Sequence, residues 1–138
     1  MIIIKKYIFL LFICIYYFSF SITNEIYRDR MRDFVKEIRN NTSSDKTIIS
    51  QNGNELYFKN NKIDEGFFKI TDGTTQESLY YGDILKFNVA TSKEANNELL
   101  KLLLSIRKKG KPIFVINYGK GEKKRNFLIE QMMRRDIK

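Results

Sequence analysis

Histidine and tryptophan are absent from this chain of 138 residues, and cysteine and proline occur once each. Without histidine, and with Cys14 inside an apolar N-terminal run, Ser-His and Cys-His nucleophile pairs and zinc sites of the usual ligands have no material. No metal or cofactor is therefore expected. The apolar run spans Ile8 to Phe20, follows Lys5 and Lys6, and ends in Ser19-Phe20-Ser21 before the polar Thr23-Asn24-Glu25. A basic start, a short apolar core and small residues before a cut are the marks of a secretory signal peptide. Residues 1–21 are so assigned, with a membrane anchor as the alternative, since Met1 to Ile4 lengthen the run towards the roughly 20 apolar residues of a bilayer span. Export would place the protein outside the cell or in the periplasm, touching membrane only through this segment.

Cleavage after Ser21 leaves residues 22–138 as one domain, without cysteine and so without disulfides. The formal charge falls from +9 to +7, because the segment carries two lysines and no acid. That charge is not gathered into a stripe, and a nucleic-acid partner is not expected. The run Arg107 to Lys111 is explained by a helix end, where cations meet the negative pole of the macrodipole.

Asn24 to Asn40 has helical periodicity, with Ile26, Arg30 or Met31, Phe34 and Ile38, and Val35 beside them, as its expected packing face. Thr47 to Ser50 predicts a first strand and Phe67 to Thr71 a second, with Ser78 to Tyr81 continuing or following it. Thr91-Ser92-Lys93-Glu94 has the form of a capping box and starts a helix that ends at Gly110. Pro112 to Tyr118 predicts a strand buried on both faces. Glu122 to Arg135 closes the chain as a helix, with Phe127, Leu128 and Met132 as its apolar stripe. Strands alternating with helices point to βαβ units and a parallel sheet.

Three segments end their strands in polar or aromatic residues: Gln51-Asn52-Gly53, Asp72 to Gly82 with Glu77 and Tyr81, and Asn117-Tyr118-Gly119. Asn52-Gly53 alone fits a tight hairpin turn equally well. A solitary Glu77 is by itself a solvated strand-end acid, and Gly119-Lys120-Gly121 lacks the spacing of a phosphate loop.

Taken together, Ile49-Ser50-Gln51-Asn52-Gly53, the run Ile70-Thr71-Asp72-Gly73 through Glu77-Ser78-Leu79-Tyr80-Tyr81-Gly82, and the strand ending at Asn117-Tyr118 resemble glycoside hydrolase family 114. These are secreted barrels of the endo-α-1,4-polygalactosaminidase type. The resemblance implies an α/β fold, a partial (β/α)8 barrel of about three βα units. It places Glu77 as one catalytic carboxylate, Gln51 and Asn52 as amides facing sugar hydroxyls, Tyr81 as a cleft wall, Tyr118 at the last strand end, and Asp72 beside the cleft, fixing its loop. Asn117 stands where the family commonly has an acid, and Ser50 where it has proline. The resemblance covers the back half of a barrel that takes roughly 250 residues. The strand carrying the partner carboxylate is missing, and glycoside hydrolysis normally uses two such groups. The expected function is that of an exported fragment of a galactosamine-polymer hydrolase, inactive alone, binding a carbohydrate polymer and completed by a separate chain with the missing half-barrel. The alternative is a non-catalytic carbohydrate-binding or envelope-associated protein.

Overall fold

The computed structural model describes residues 24–82 and 88–137; the signal-peptide assignment and Cys14 lie outside them. Among these residues no helix is long and apolar enough to cross a membrane. The chain is a mixed α/β structure. Helix α1 (24–40) leads into strand β1 (Ile49–Gln51), a 3-10 turn (Asn54–Tyr57), a two-stranded hairpin of β2 (Phe58–Lys59) and β3 (Lys62–Ile63), and helix α2 (Glu65–Ile70). Strand β4 (Gly73–Glu77), helix α3 (Lys93–Lys108), strand β5 (Ile113–Ile116) and helix α4 (Glu122–Arg134) complete it.

Strands β1, β4 and β5 form a parallel sheet in that order, with Ser50 beside Thr74 and Thr74 beside Ile113. The expected parallel sheet is present. Because successive side chains alternate, Ser50, Thr74, Gln76, Ile113 and Val115 share one face, and Ile49, Gln51, Thr75, Glu77, Phe114 and Ile116 the other. The first face is covered: Ile113 and Val115 join Phe67 of α2 and Leu100, Leu103 and Ile106 of α3 in one hydrophobic cluster. The second is open, with Ile49 43% and Ile116 41% exposed. The expectation that β5 is buried on both faces is therefore corrected, since it is an edge strand whose burial declines from Ile113 to Ile116.

Other expectations are corrected as well. Phe67 to Ile70 is helical, because the Asp64 carboxylate accepts from the Phe67 amide at 2.9 Å and caps a short turn that buries Phe67. The strand lies just beyond it, in the polar Gly73-Thr74-Thr75-Gln76-Glu77. This strand is buried despite its polarity because its hydroxyls and amides are paired. Thr74 donates to Asn54 Oδ1 at 2.8 Å, Ser50 donates to Thr74 at 3.0 Å, and Asn54 donates to Gln76. The helix expected from Thr91-Ser92-Lys93-Glu94 is capped by Ser92, which accepts from Ala95 N at 3.2 Å, while Thr91 donates to Ser78 O at 2.6 Å. It stops as expected, with Gly110 at φ 99° just past its end.

Asn52-Gly53 forms no hairpin, because β1 runs parallel to β4. The tight turn is made by Asn60 and Asn61, both at positive φ, as a two-residue connection between antiparallel strands demands. In α1 most of the expected packing face points outwards: Met31 is 47% and Phe34 57% exposed, whereas Val35 packs on the core and Arg32 is buried. In α4 Leu128 and Met132 pack on the core as expected, but Phe127 remains 41% exposed.

Tyr57 is fully buried, donates to Gly73 O at 2.9 Å, and meets Phe67 edge-on at 4.9 Å between ring centroids. Burial raises its phenol above the ordinary 10.0. In the unfolded chain the phenol loses its proton first, so its contribution is whole below about pH 10 and is lost as pH rises through the higher folded value. Thermal melts should fall steeply above about pH 10. Tyr57→Phe should melt lower at neutral pH, by about 1 kcal/mol for the lost hydrogen bond, and decline less steeply in alkali. Parallel alkaline slopes for the two proteins would contradict this assignment.

Candidate functional site

Parallel strands deliver all their C-terminal ends to one edge of the sheet, and here that edge collects residues far apart in sequence. Gln51 ends β1, Glu77 ends β4, and Tyr118 follows β5 by two residues. Gln51 and Glu77 lie on the same open face, and Gln51 Nε2 donates to Glu77 Oε1 at 2.6 Å. The Glu77 carboxylate also acts on the neighbouring Tyr118 phenol. Desolvation first, and then the charge and hydrogen bond of Glu77, raise the Tyr118 pKa above its ordinary value of 10.0. A carboxylate thus bonds an amide and stands beside a phenol.

Asn52 belongs to the same cluster through its backbone and side chain. It adopts the left-handed conformation at φ 56°, which asparagine tolerates better than most residues, donates its amide to Thr75 O at 3.0 Å and accepts from Glu77 N at 2.8 Å. Its carboxamide oxygen therefore extends the β1–β4 ladder by one step and fixes the backbone that carries Glu77.

Tyr81 stands in the neighbouring loop. Its ring meets Phe127 edge-on at 6.2 Å, and Lys124 Nζ lies 4.9 Å from the ring centroid. A Cβ at Gly119 would lie 3.4 Å from the ring, in ordinary van der Waals contact, so the β5–α4 loop packs against Tyr81. Tyr81 is a packed wall, with a cation over its ring. Asn117 holds this wall in place, its Oδ1 accepting from the amides of Tyr80 at 2.8 Å and Tyr81 at 3.2 Å. That is a role for a neutral side chain at this position.

Asp72 does not join them. It precedes β4, and a five-residue strand puts it about 16 Å from Glu77, at the opposite edge of the sheet. There it accepts from Ile48 N at 2.7 Å and pairs with Arg39, contacts that hold its carboxyl below the ordinary 3.8. Arg39 also donates to Ile70 O at 2.9 Å and Lys46 O at 3.1 Å, so Asp72 ties α1 to the starts of β1 and β4.

Two residues beneath the cluster were not singled out from the sequence. Gln76 donates to Glu77 O at 2.7 Å and accepts from Asn54, and Asn54 in turn is fixed by Thr74. The signal was the polarity of Thr74-Thr75-Gln76 itself, which only a partnered burial explains. Among the described residues no group of three or more histidine, cysteine, aspartate or glutamate side chains could hold a metal ion. Among the described residues, Glu77 is the one carboxylate in the strand-end segments 51–53, 77–82 and 117–119. A shallow cavity of about 640 Å³ lies beside them, lined by Asn117, Gly119, Gly121, Glu122, Arg125 and Leu128.

No protein-family model matches this chain, and no curated protein sequence matches it.

Proposed function

We propose that the chain is an exported fragment of a glycoside-hydrolase-114-like barrel that binds a galactosamine-type polysaccharide at its strand ends and does not hydrolyse it alone. The observation that carries this reading is the meeting of Gln51, Glu77 and Tyr118 at one edge of the sheet. Amide, carboxylate and phenol together offer the mixed donors and acceptors that sugar hydroxyls and amines require. Further support comes from the strand order β1-β4-β5, with helices packed on one face and the other face open. Consecutive strands in sequence order are what a piece of a (β/α)8 barrel would have, with the open face corresponding to the barrel interior.

Among the described residues these strand ends carry one carboxylate, Glu77, which favours binding over hydrolysis for this chain by itself, since the reaction normally uses two. A separate chain bearing the missing strands would supply the second and cover the open sheet face. Export through residues 1–21 belongs to the same proposal, on the strength of the sequence pattern there.

Glycan-array binding by the purified chain tests it. Polymers containing galactosamine should be retained without turnover. Gln51→Ala combined with Tyr118→Phe should weaken binding about tenfold or more, at about 1 kcal/mol for each lost hydrogen bond. Retention of no glycan would overturn the carbohydrate reading, and turnover by the lone chain would overturn its inactivity.

A further inference from the structure

Helix α1 has two faces of different chemistry. Arg32, Val35 and Arg39 turn towards the fold, where Arg32 and Arg39 bond to backbone carbonyls and Val35 packs on the core. Away from it, Tyr27, Met31, Phe34 and Ile38 are 63%, 47%, 57% and 39% exposed. These four are spaced four, three and four residues apart, the alternation that keeps an apolar seam facing a partner helix. The seam is self-complementary. Set antiparallel about a twofold axis, Tyr27 of one copy meets Ile38 of the other and Met31 meets Phe34, so every member of the seam has an apolar partner.

Charge selects the same arrangement. The antiparallel alignment that pairs the seam brings Arg30 beside Glu37 of a second copy, and the symmetry repeats the contact. Both are exposed, and neither takes part in an ion pair among the described residues. A parallel alignment would set Arg30 against Val35, which is engaged with its own core. A lipid surface fits less well, because Arg30 and Lys36 alternate with Asp33 and Glu37, whereas an interfacial helix carries a predominantly basic polar face.

We infer that the outer face of α1 is an antiparallel homodimer seam, with Met31 and Phe34 at its centre and reciprocal Arg30–Glu37 pairs at its rim. Nothing in this inference depends on the carbohydrate site, which lies on the sheet edge.

Cross-linking of the full chain in the producing cells tests it, in a Cys14→Ser background so that introduced thiols are the only ones. Tyr27→Cys and Ile38→Cys chains, differently tagged and treated with a short bis-maleimide, should cross-link when co-expressed. Neither should do so alone, because antiparallel pairing holds like positions about 16 Å apart along the axis. Phe34→Glu should abolish the product. Glu37→Arg should reduce it about tenfold by replacing two attractions with two repulsions, and adding Arg30→Glu to the same chain should restore it. Cross-linking of each variant alone but not of the mixture would overturn the antiparallel seam. Failure of all pairs, or flotation with vesicles that Phe34→Glu abolishes without any cross-link, would overturn the dimer.

Discussion

Arg32→Met should lower the stability of the chain by about 3 kcal/mol, a large share of the 5–15 kcal/mol that holds a domain of this size. Arg32 is buried, donates from Nε to Leu56 O at 2.9 Å and from its second terminal nitrogen to Phe58 O, and meets Glu25 at 2.8 Å and Asp29 at 2.7 Å. Glu25 and Asp29 stand near solvent and can rehydrate when the guanidinium is removed. The two carbonyls cannot do so as readily, because methionine fills the same space without a donor. Their unmet hydrogen bonds set the cost, at about 1–3 kcal/mol each. Urea denaturation should show the midpoint falling with the slope unchanged. Lys59→Met is the control: it removes an exposed partner of Asp29 and should leave the midpoint where it was. Equal effects of the two substitutions would mean that Arg32 acts only as a surface charge.

Arg32 also shows where sequence periodicity reaches its limit. In α1 the apolar spacing of Ile26, Met31, Phe34 and Ile38 predicts the inward face, yet the helix docks through Val35 and two arginines that capture carbonyls of the following chain. Periodicity establishes that such a helix has an apolar face but cannot say whether this chain or another covers it. The exchange between α2 and β4 has a related cause. Phe67 to Ile70 looks like a strand by apolar content and Thr74-Thr75-Gln76 looks like a loop by polarity, but Asp64 caps the first and a network of Ser50, Asn54 and Tyr57 buries the second. Short apolar runs do not distinguish helix from strand.

That exchange decides which site residues were legible. A strand ending at Thr71 would put Asp72 at its C-terminal end, beside Gln51. The actual strand begins at Gly73, so Asp72 sits at the other edge while Glu77 takes the C-terminal position. Gln51 and Tyr118 come to strand ends because β1 and β5 stop within two residues of where the sequence ends them, whereas Glu77 ends a strand that the sequence stops six residues too early, at Thr71. Elements with strong punctuation, such as α3 with Ser92 before it and Gly110 after it, were legible for the same local reason.

On the proposed reading, Glu77→Gln should reduce hydrolysis by several orders of magnitude once a chain with the remaining barrel strands is supplied, and should have nothing to abolish when the chain is alone. Among the described residues these strand ends carry one carboxylate, Glu77, bonded by Gln51 and standing beside Tyr118. Acid and base, or acid and nucleophile, must both flank the bond that breaks. A co-expressed front half-barrel would contribute the second group and close the open face of Ile49, Phe114 and Ile116. Glutamine keeps the size and one acceptor of Glu77 but can neither carry a proton to the leaving oxygen nor attack the anomeric carbon. The Gln51 contact can persist across the substitution, so glycan retention should change little while turnover disappears. Hydrolysis of galactosamine polymers would be assayed for parent and variant, each with and without the second chain. A reconstituted Glu77→Gln protein as active as its parent would remove Glu77 from the chemistry. Turnover by the lone parent chain would show that the second carboxylate lies within these 138 residues.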